Sequence, residues 1–134
     1  MQGKRFLEKL ERLVSRFQRT RVVFPGHITG DRKRAFFELA DLYVFPSRHE
    51  SYGLTLLEAL ASGTPAVCLD SLGARSVMRE EFGAVVPQNG LRDAIQRLLD
   101  DPELRKKQGT AARAFAATQR FPEQAAKLAG IIKT

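Results

Sequence analysis

The chain has 134 residues, 43% of them hydrophobic, with 22 lysines and arginines against 15 acidic residues and a formal charge of +7. That is one domain's worth of chain with apolar residues enough for a single core, which excludes a disordered segment. No apolar run reaches membrane-span length, the basic start lacks a signal-peptide core, and a lone cysteine excludes a disulfide scaffold.

Helix and strand signals alternate from the start. Phe6, Leu10, Leu13, Val14 and Phe17 recur at helical spacing, which predicts an amphipathic helix over 3–18 whose apolar face serves a core. Residues 21–25 read as a short strand ended by Gly26, and Asp31 as the N-cap of a helix through Ala40. A β-rich run over 42–45 stops at Pro46, and a helix over 52–62 follows with Gly63 as its C′ residue. Next come a strand over 66–69, a turn over 71–73, a short helix over 76–81 and a strand over 83–87. The remainder is helical: 91–99, then Pro102 at the first helical position behind Asp101 to about Thr118, then a last helix after Pro122.

Continuous apolar strands separated by helices imply a parallel sheet covered by helices. The expected fold is α/β: a Rossmann-like, doubly wound parallel sheet of about four strands with a helical C-terminal extension, one domain over 1–134. Ligands of such sheets bind beyond the carboxyl ends of the strands, which nominates 26–30, 46–53 and 70–73. Cys68 sits in an apolar run, where a reduced, buried thiol fits a cytoplasmic chain.

The basic excess is concentrated in the first forty residues. It suits phosphate groups, nucleic acid or an anionic membrane surface, and equally a solvated helix face, the reading favoured on charge alone. Nucleic acid ranks last, because the basic residues are not interleaved with aromatics in a stacking pattern. The helix over 3–18 could also serve a peripheral membrane contact, second to its core role.

The segment Glu50-Ser-Tyr-Gly-Leu-Thr-Leu-Leu-Glu58 carries the most chemistry. Gly53 would let backbone approach a ligand closely, and the first free N–H groups of the helix, near Gly53, Leu54 and Thr55, form a site for a phosphate or diphosphate. Glu50 and Glu58 stand up to about 12 Å apart along a helix. Each carboxylate could accept hydrogen bonds from vicinal hydroxyls on either side of a diphosphate. By spacing alone, Glu50 as a first-turn residue favoured by the dipole and Glu58 as an ion-paired side chain are the better-favoured alternatives. His27 and His49 are the only histidines and lack a ligand pattern, so neither a metal nor another cofactor is expected. A Walker loop, a G-x-G-x-x-G turn and a nucleophile elbow are all missing.

Taken together, Ala40 to Ser47, Glu50 to Ala59 and Ala61 to Val67 resemble the C-terminal, donor-binding domain of retaining GT-B glycosyltransferases. That is the glycosyl transferases group 1 family with its E-x7-E motif. Val22 to Gly26, Gly83 to Pro87 and the helical tail with Asp101-Pro102 extend the resemblance over nearly the whole chain, in the family's order. The resemblance implies metal-independent transfer of a hexose from a nucleoside-diphosphate sugar. Glu50 would contact the donor sugar as the catalytic carboxylate, and Glu58 the ribose hydroxyls. The backbone of Tyr52, Gly53, Leu54 and Thr55 would meet sugar and phosphates, and the loop Gly26, His27, Ile28 would flank the base, with Lys33 nearby.

The chain also departs from the family. The usual Arg and Lys pair and the N-terminal acceptor-binding domain have no counterpart in it, so an acceptor domain in cis or in trans is the expected partner. Leu72 replaces the first glycine of a Gly-Gly turn, Ser76 stands where Glu is frequent, and Tyr52 replaces Phe. The alternative is a non-catalytic nucleotide-sugar-binding or interaction module on the same fold. The sequence assigns neither base, sugar nor acceptor.

Overall fold

The structure, a computed structural model, describes residues 2–15, 22–48 and 53–119. Three short strands form a parallel sheet in the order β1 (Tyr43–Phe45), β2 (Ala66–Leu69), β3 (Gly83–Val86). Tyr43 pairs with Ala66 and Phe45 with Cys68, while Ala66 pairs with Gly83 and Leu69 with Val86. All four residues of the central strand are buried, as the unbroken run Ala-Val-Cys-Leu requires of a strand flanked on both edges.

Helices connect the strands: α1 (Gln2–Ser15), α2 (Gly30–Leu39), α3 (Leu54–Ala61), α4 (Leu72–Val77), α5 (Leu91–Leu99) and α6 (Pro102–Thr118). The last two match their expected bounds because their end signals are local. Asp101 accepts from the N–H of Leu104 at 3.0 Å, and Pro102 occupies the first turn, where its missing N–H costs nothing. Helix α3 closes as expected on Gly63. Its φ of +79° lets Gly63 N–H reach Leu60 C=O and Thr64 N–H reach Ala59 C=O, the paired bonds of a Schellman end. Helix α6 crosses that end closely: a Cβ on Gly109 would stand 2.3 Å from the Gly63 carbonyl oxygen. Arg113 then donates to the Ser62 carbonyl at 3.0 Å, satisfying an acceptor at the negative end of α3. The core gathers Phe45, Leu56, Leu60, Cys68, Val77 and Phe82 between the sheet and the helices.

Several expectations are corrected. The sheet has three strands among the described residues. Val22, Val23 and Phe24 are exposed and unpaired in any ladder, because strand propensity makes no strand without a neighbour. The N-cap of α2 is Thr29, with Asp31 in the first turn, where its charge favours the dipole. The turn over 71–73 is instead the start of α4, capped by Ser71 accepting from Ala74 N–H, and the helix expected over 76–81 is the end of α4 plus a 3₁₀ turn at Glu80–Phe82. Helix α1 forms, but its apolar face is not core: Phe6 is 62% exposed and Leu13 44%. Residues 16–18 of that helix and the last helix, after Pro122, lie outside the described residues.

Burial pushes the Cys68 thiol up to about 12, from an ordinary value near 9.0. The native state therefore keeps its proton where the unfolded chain loses it, and stability falls as pH rises from about 9 towards 12. By about pH 10.5 the loss is expected to reach roughly 2 kcal/mol. Urea unfolding at several alkaline pH values checks this: Cys68→Ala should show a shallower decline than the parent chain.

Candidate functional site

The carboxyl ends of the strands present three loops. Beyond β1, Pro46, Ser47 and Arg48 lead towards α3. Glu50 and Tyr52, together with His49 and Ser51, lie outside the described residues. Beyond β2, Asp70 receives both Nε and Nη2 of Arg75 at 2.6 and 2.7 Å. Those bonds hold the Asp70 carboxyl below its ordinary value against the opposing effect of desolvation, and the guanidinium charge helps. Beyond β3, Gln88 accepts from Arg48, so a side-chain bridge joins the outer loops across the end of the central strand.

Gly53 is the N-cap of α3 and supplies no side chain to its first turn. Among the described residues no side chain caps the N–H groups of Leu54 and Thr55, and the positive end of a helix favours an anion. The space around Gly53 gives its small size a further cause besides the expected one. A Cβ there would lie 3.1 Å from the Gly73 carbonyl and 3.4 Å from Leu56, so the glycine lets the start of α3 pack on the start of α4. Leu54 is exposed and does not anchor α3 to the sheet; Leu56 and Leu60 do, with no accessible surface.

Thr55 is tied to the sheet. Its Oγ1 accepts from the Tyr43 hydroxyl at 3.1 Å, and the Tyr43 ring stands edge-on to Phe37 at 5.3 Å. Burial raises the Tyr43 hydroxyl above its ordinary value, and the bond to Thr55 partly offsets that. The first turn of α3 is thus fixed to β1 and, through Phe37, to α2.

One turn further on, Glu58 meets Lys33 of α2. Nζ lies 3.1 Å from Oε1 and 3.0 Å from Oε2, with the two side chains 37% and 32% exposed. The pair lines a cleft of about 770 Å³ between α2, α3 and α6, whose wall also includes Gly30, Phe37, Ala61 and Arg113. Gly26 and His27 are exposed and Ile28 is half-buried in the loop leading to that wall at Gly30. The structure therefore brings together Glu58, Lys33 and the end of the 26–30 loop, and sets the start of α3 about 7 Å up the helix axis from Glu58.

Sequence reasoning named Lys33 only as a neighbour of the base and missed Arg113 altogether. Neither position carries a local signal, since Lys33 is 25 residues from Glu58 and Arg113 is 51 residues from Ser62. Among the described residues no group of three or more His, Cys, Asp or Glu could hold a metal ion, and no helix is long and apolar enough to cross a membrane.

The chain is similar to known proteins over most of its length. Residues 3–115 match the profile of the family described as glycosyl transferases group 1. Alpha-D-kanosaminyltransferase of Streptomyces kanamyceticus is 35% identical over 130 residues, covering 92% of this chain and 34% of that protein. Glycogen synthase of Mycobacterium tuberculosis is 35% identical over 94 residues, covering 67% of this chain and 23% of that protein. Among solved structures, sucrose-phosphate synthase from Thermosynechococcus elongatus superposes with a TM-score of 0.75 at 29% identity, over 93% of this chain and 34% of that one. The chain thus spans about a third or less of the length of these relatives.

Proposed function

The chain belongs to the glycosyl transferases group 1 family, and from that premise we propose that it is the donor-binding part of a retaining glycosyltransferase. It takes a nucleoside-diphosphate sugar and presents the hexose to an acceptor held elsewhere. The observation that carries this reading is the half-buried Glu58–Lys33 pair standing about one turn inside the helix start at Gly53, beyond the carboxyl end of β1.

In this reading the ribose diol donates to the Glu58 carboxylate, the diphosphate lies against the N–H groups of Leu54 and Thr55, and Glu50 faces the donor sugar. Charge that builds on the departing diphosphate meets the positive end of α3 and nearby cationic side chains, so no metal ion is required. The base is flanked by Gly26, His27 and Ile28.

Transfer needs a second body. The exposed apolar faces of α1 and α2, with Leu39 84% exposed, and the chain's short span of its relatives support an acceptor-binding domain that joins this one in cis or in trans. The relatives' names differ in the group moved, so sugar and base stay open. A free, buried Cys68 supports a reducing, cytoplasmic setting.

Ligand-observed NMR with UDP, GDP and ADP, free and sugar-linked, tests the pocket without the second body. Saturable binding of at least one at millimolar concentration is the expected result. Absence of binding by all of them overturns the proposal.

A further inference from the structure

On the far side of α6 from the Glu58 cleft, a second cavity of about 640 Å³ runs along the whole of β3, between that strand, α5 and the start of α6. Strand β3 is the last in the sheet order, pairing with β2 alone among the described residues. Aliphatic side chains such as Val85 and Leu98 form part of the wall, and Glu80, Asp93, Arg97 and Gln108 supply its polar groups. A volume of this size, apolar with a few convergent polar groups, is that of a small-molecule site.

Gln108 is the informative residue. It is 8% exposed, and its Oε1 is buried without a hydrogen-bond partner. Its Nε2 reaches the Glu80 carbonyl at 3.4 Å, longer than a well-formed bond, so the amide is only loosely held. Gln108 is one of the residues that line the cavity. Buried polar groups without partners are rare, and one in a cavity wall marks where a donor belongs.

We propose that this cavity is a second binding site, for a neutral polyol of mono- to disaccharide size. Three acceptors, the Gln108 carbonyl and the carboxylates of Glu80 and Asp93, call for a ligand rich in O–H donors. Arg97 supplies the donor that a hydroxyl can also accept, and its charge offsets one of the two carboxylates. The side chains of Glu80, Asp93 and Arg97 take part in no ion pair among the described residues and stay available. This site is independent of donor binding, since its walls share no residue with the Glu58 cleft.

The test is titration of the ¹⁵N-labelled chain with maltose at millimolar concentration. Saturable shifts are expected at the backbone amides of Val85 and Leu98 and the side-chain amide of Gln108, with Glu58 and Lys33 unmoved. Gln108→Met should weaken that binding roughly tenfold, and Ala94→Phe, which fills the cavity from the half-exposed face of α5, should abolish it. No saturable shift at β3 and α5 overturns the proposal, as does unchanged binding in a folded Gln108→Met or Ala94→Phe chain. A response there to ethanolammonium in place of maltose makes it a cation site and overturns it equally.

Discussion

Gly83→Ala is expected to destabilise the domain by about 4 kcal/mol or more, a fall in Tm of roughly 15 °C. The first residue of β3 has φ +149° and ψ −134°, a region that side-chain-bearing residues rarely enter. Space is a separate obstacle. A Cβ at Gly83 would stand 1.7 Å from the Ala66 carbonyl oxygen and 2.8 Å from its carbon, and both are backbone atoms of the central strand. Ala66 is also the ladder partner of Gly83, so relief means moving β3 off β2 and opening the core at Phe82. Gly26→Ala is the control. Its φ is +77°, but nothing lies within 4 Å of the added carbon, so only a conformational cost of about 1 kcal/mol applies. Thermal melts followed by far-UV circular dichroism separate the two. Equal melting of Gly83→Ala and Gly26→Ala would refute the account of the β2–β3 contact.

Much of this fold is legible in the chain because its signals are local. Asp101 and Pro102 mark the start of α6 within three residues, Gly63 marks the end of α3, and the apolar run 66–69 marks a strand with neighbours on both edges. What fails is what depends on partners. Residues 22–25 have the composition of a strand and no strand beside them. Helix α1 shows its apolar stripe in the sequence, but periodicity does not say what covers a stripe, and Phe6 stays exposed. Gly73 reads as a turn residue, whereas it is buried inside α4, its carbonyl set against Gly53.

The candidate site divides in the same way. Glu58 and the helix start are legible from one continuous segment and from its resemblance to a family. Lys33 is not, because its role depends on α2 and α3 lying side by side, a contact fixed by Tyr43 between Phe37 and Thr55. Gly53 is found for its approach to a ligand, and the structure adds a packing reason that the sequence does not show: its place against the Gly73 carbonyl of α4.

Glu58→Ala is expected to weaken nucleoside-diphosphate binding by about 10- to 100-fold, the loss of hydrogen bonds from a ribose diol to a charged acceptor. Stability should barely change, because the Lys33 side chain is 37% exposed and such a pair contributes about 1 kcal/mol or less. Affinity and stability therefore separate, which a purely structural role for Glu58 would not allow. Lys33→Met distinguishes the two duties of the carboxylate. If Glu58 serves only to hold Lys33, both variants lose the same affinity. If it receives the ribose, Lys33→Met keeps binding within a few-fold of the parent, because the carboxylate that the ammonium occupied remains. The 2′-deoxy form of the nucleotide completes the cycle: it should bind the parent chain more weakly than the ribonucleotide, and Glu58→Ala should bind both alike. Calorimetric titration of the four combinations reads the coupling directly, and a coupling near zero would remove Glu58 from the ribose.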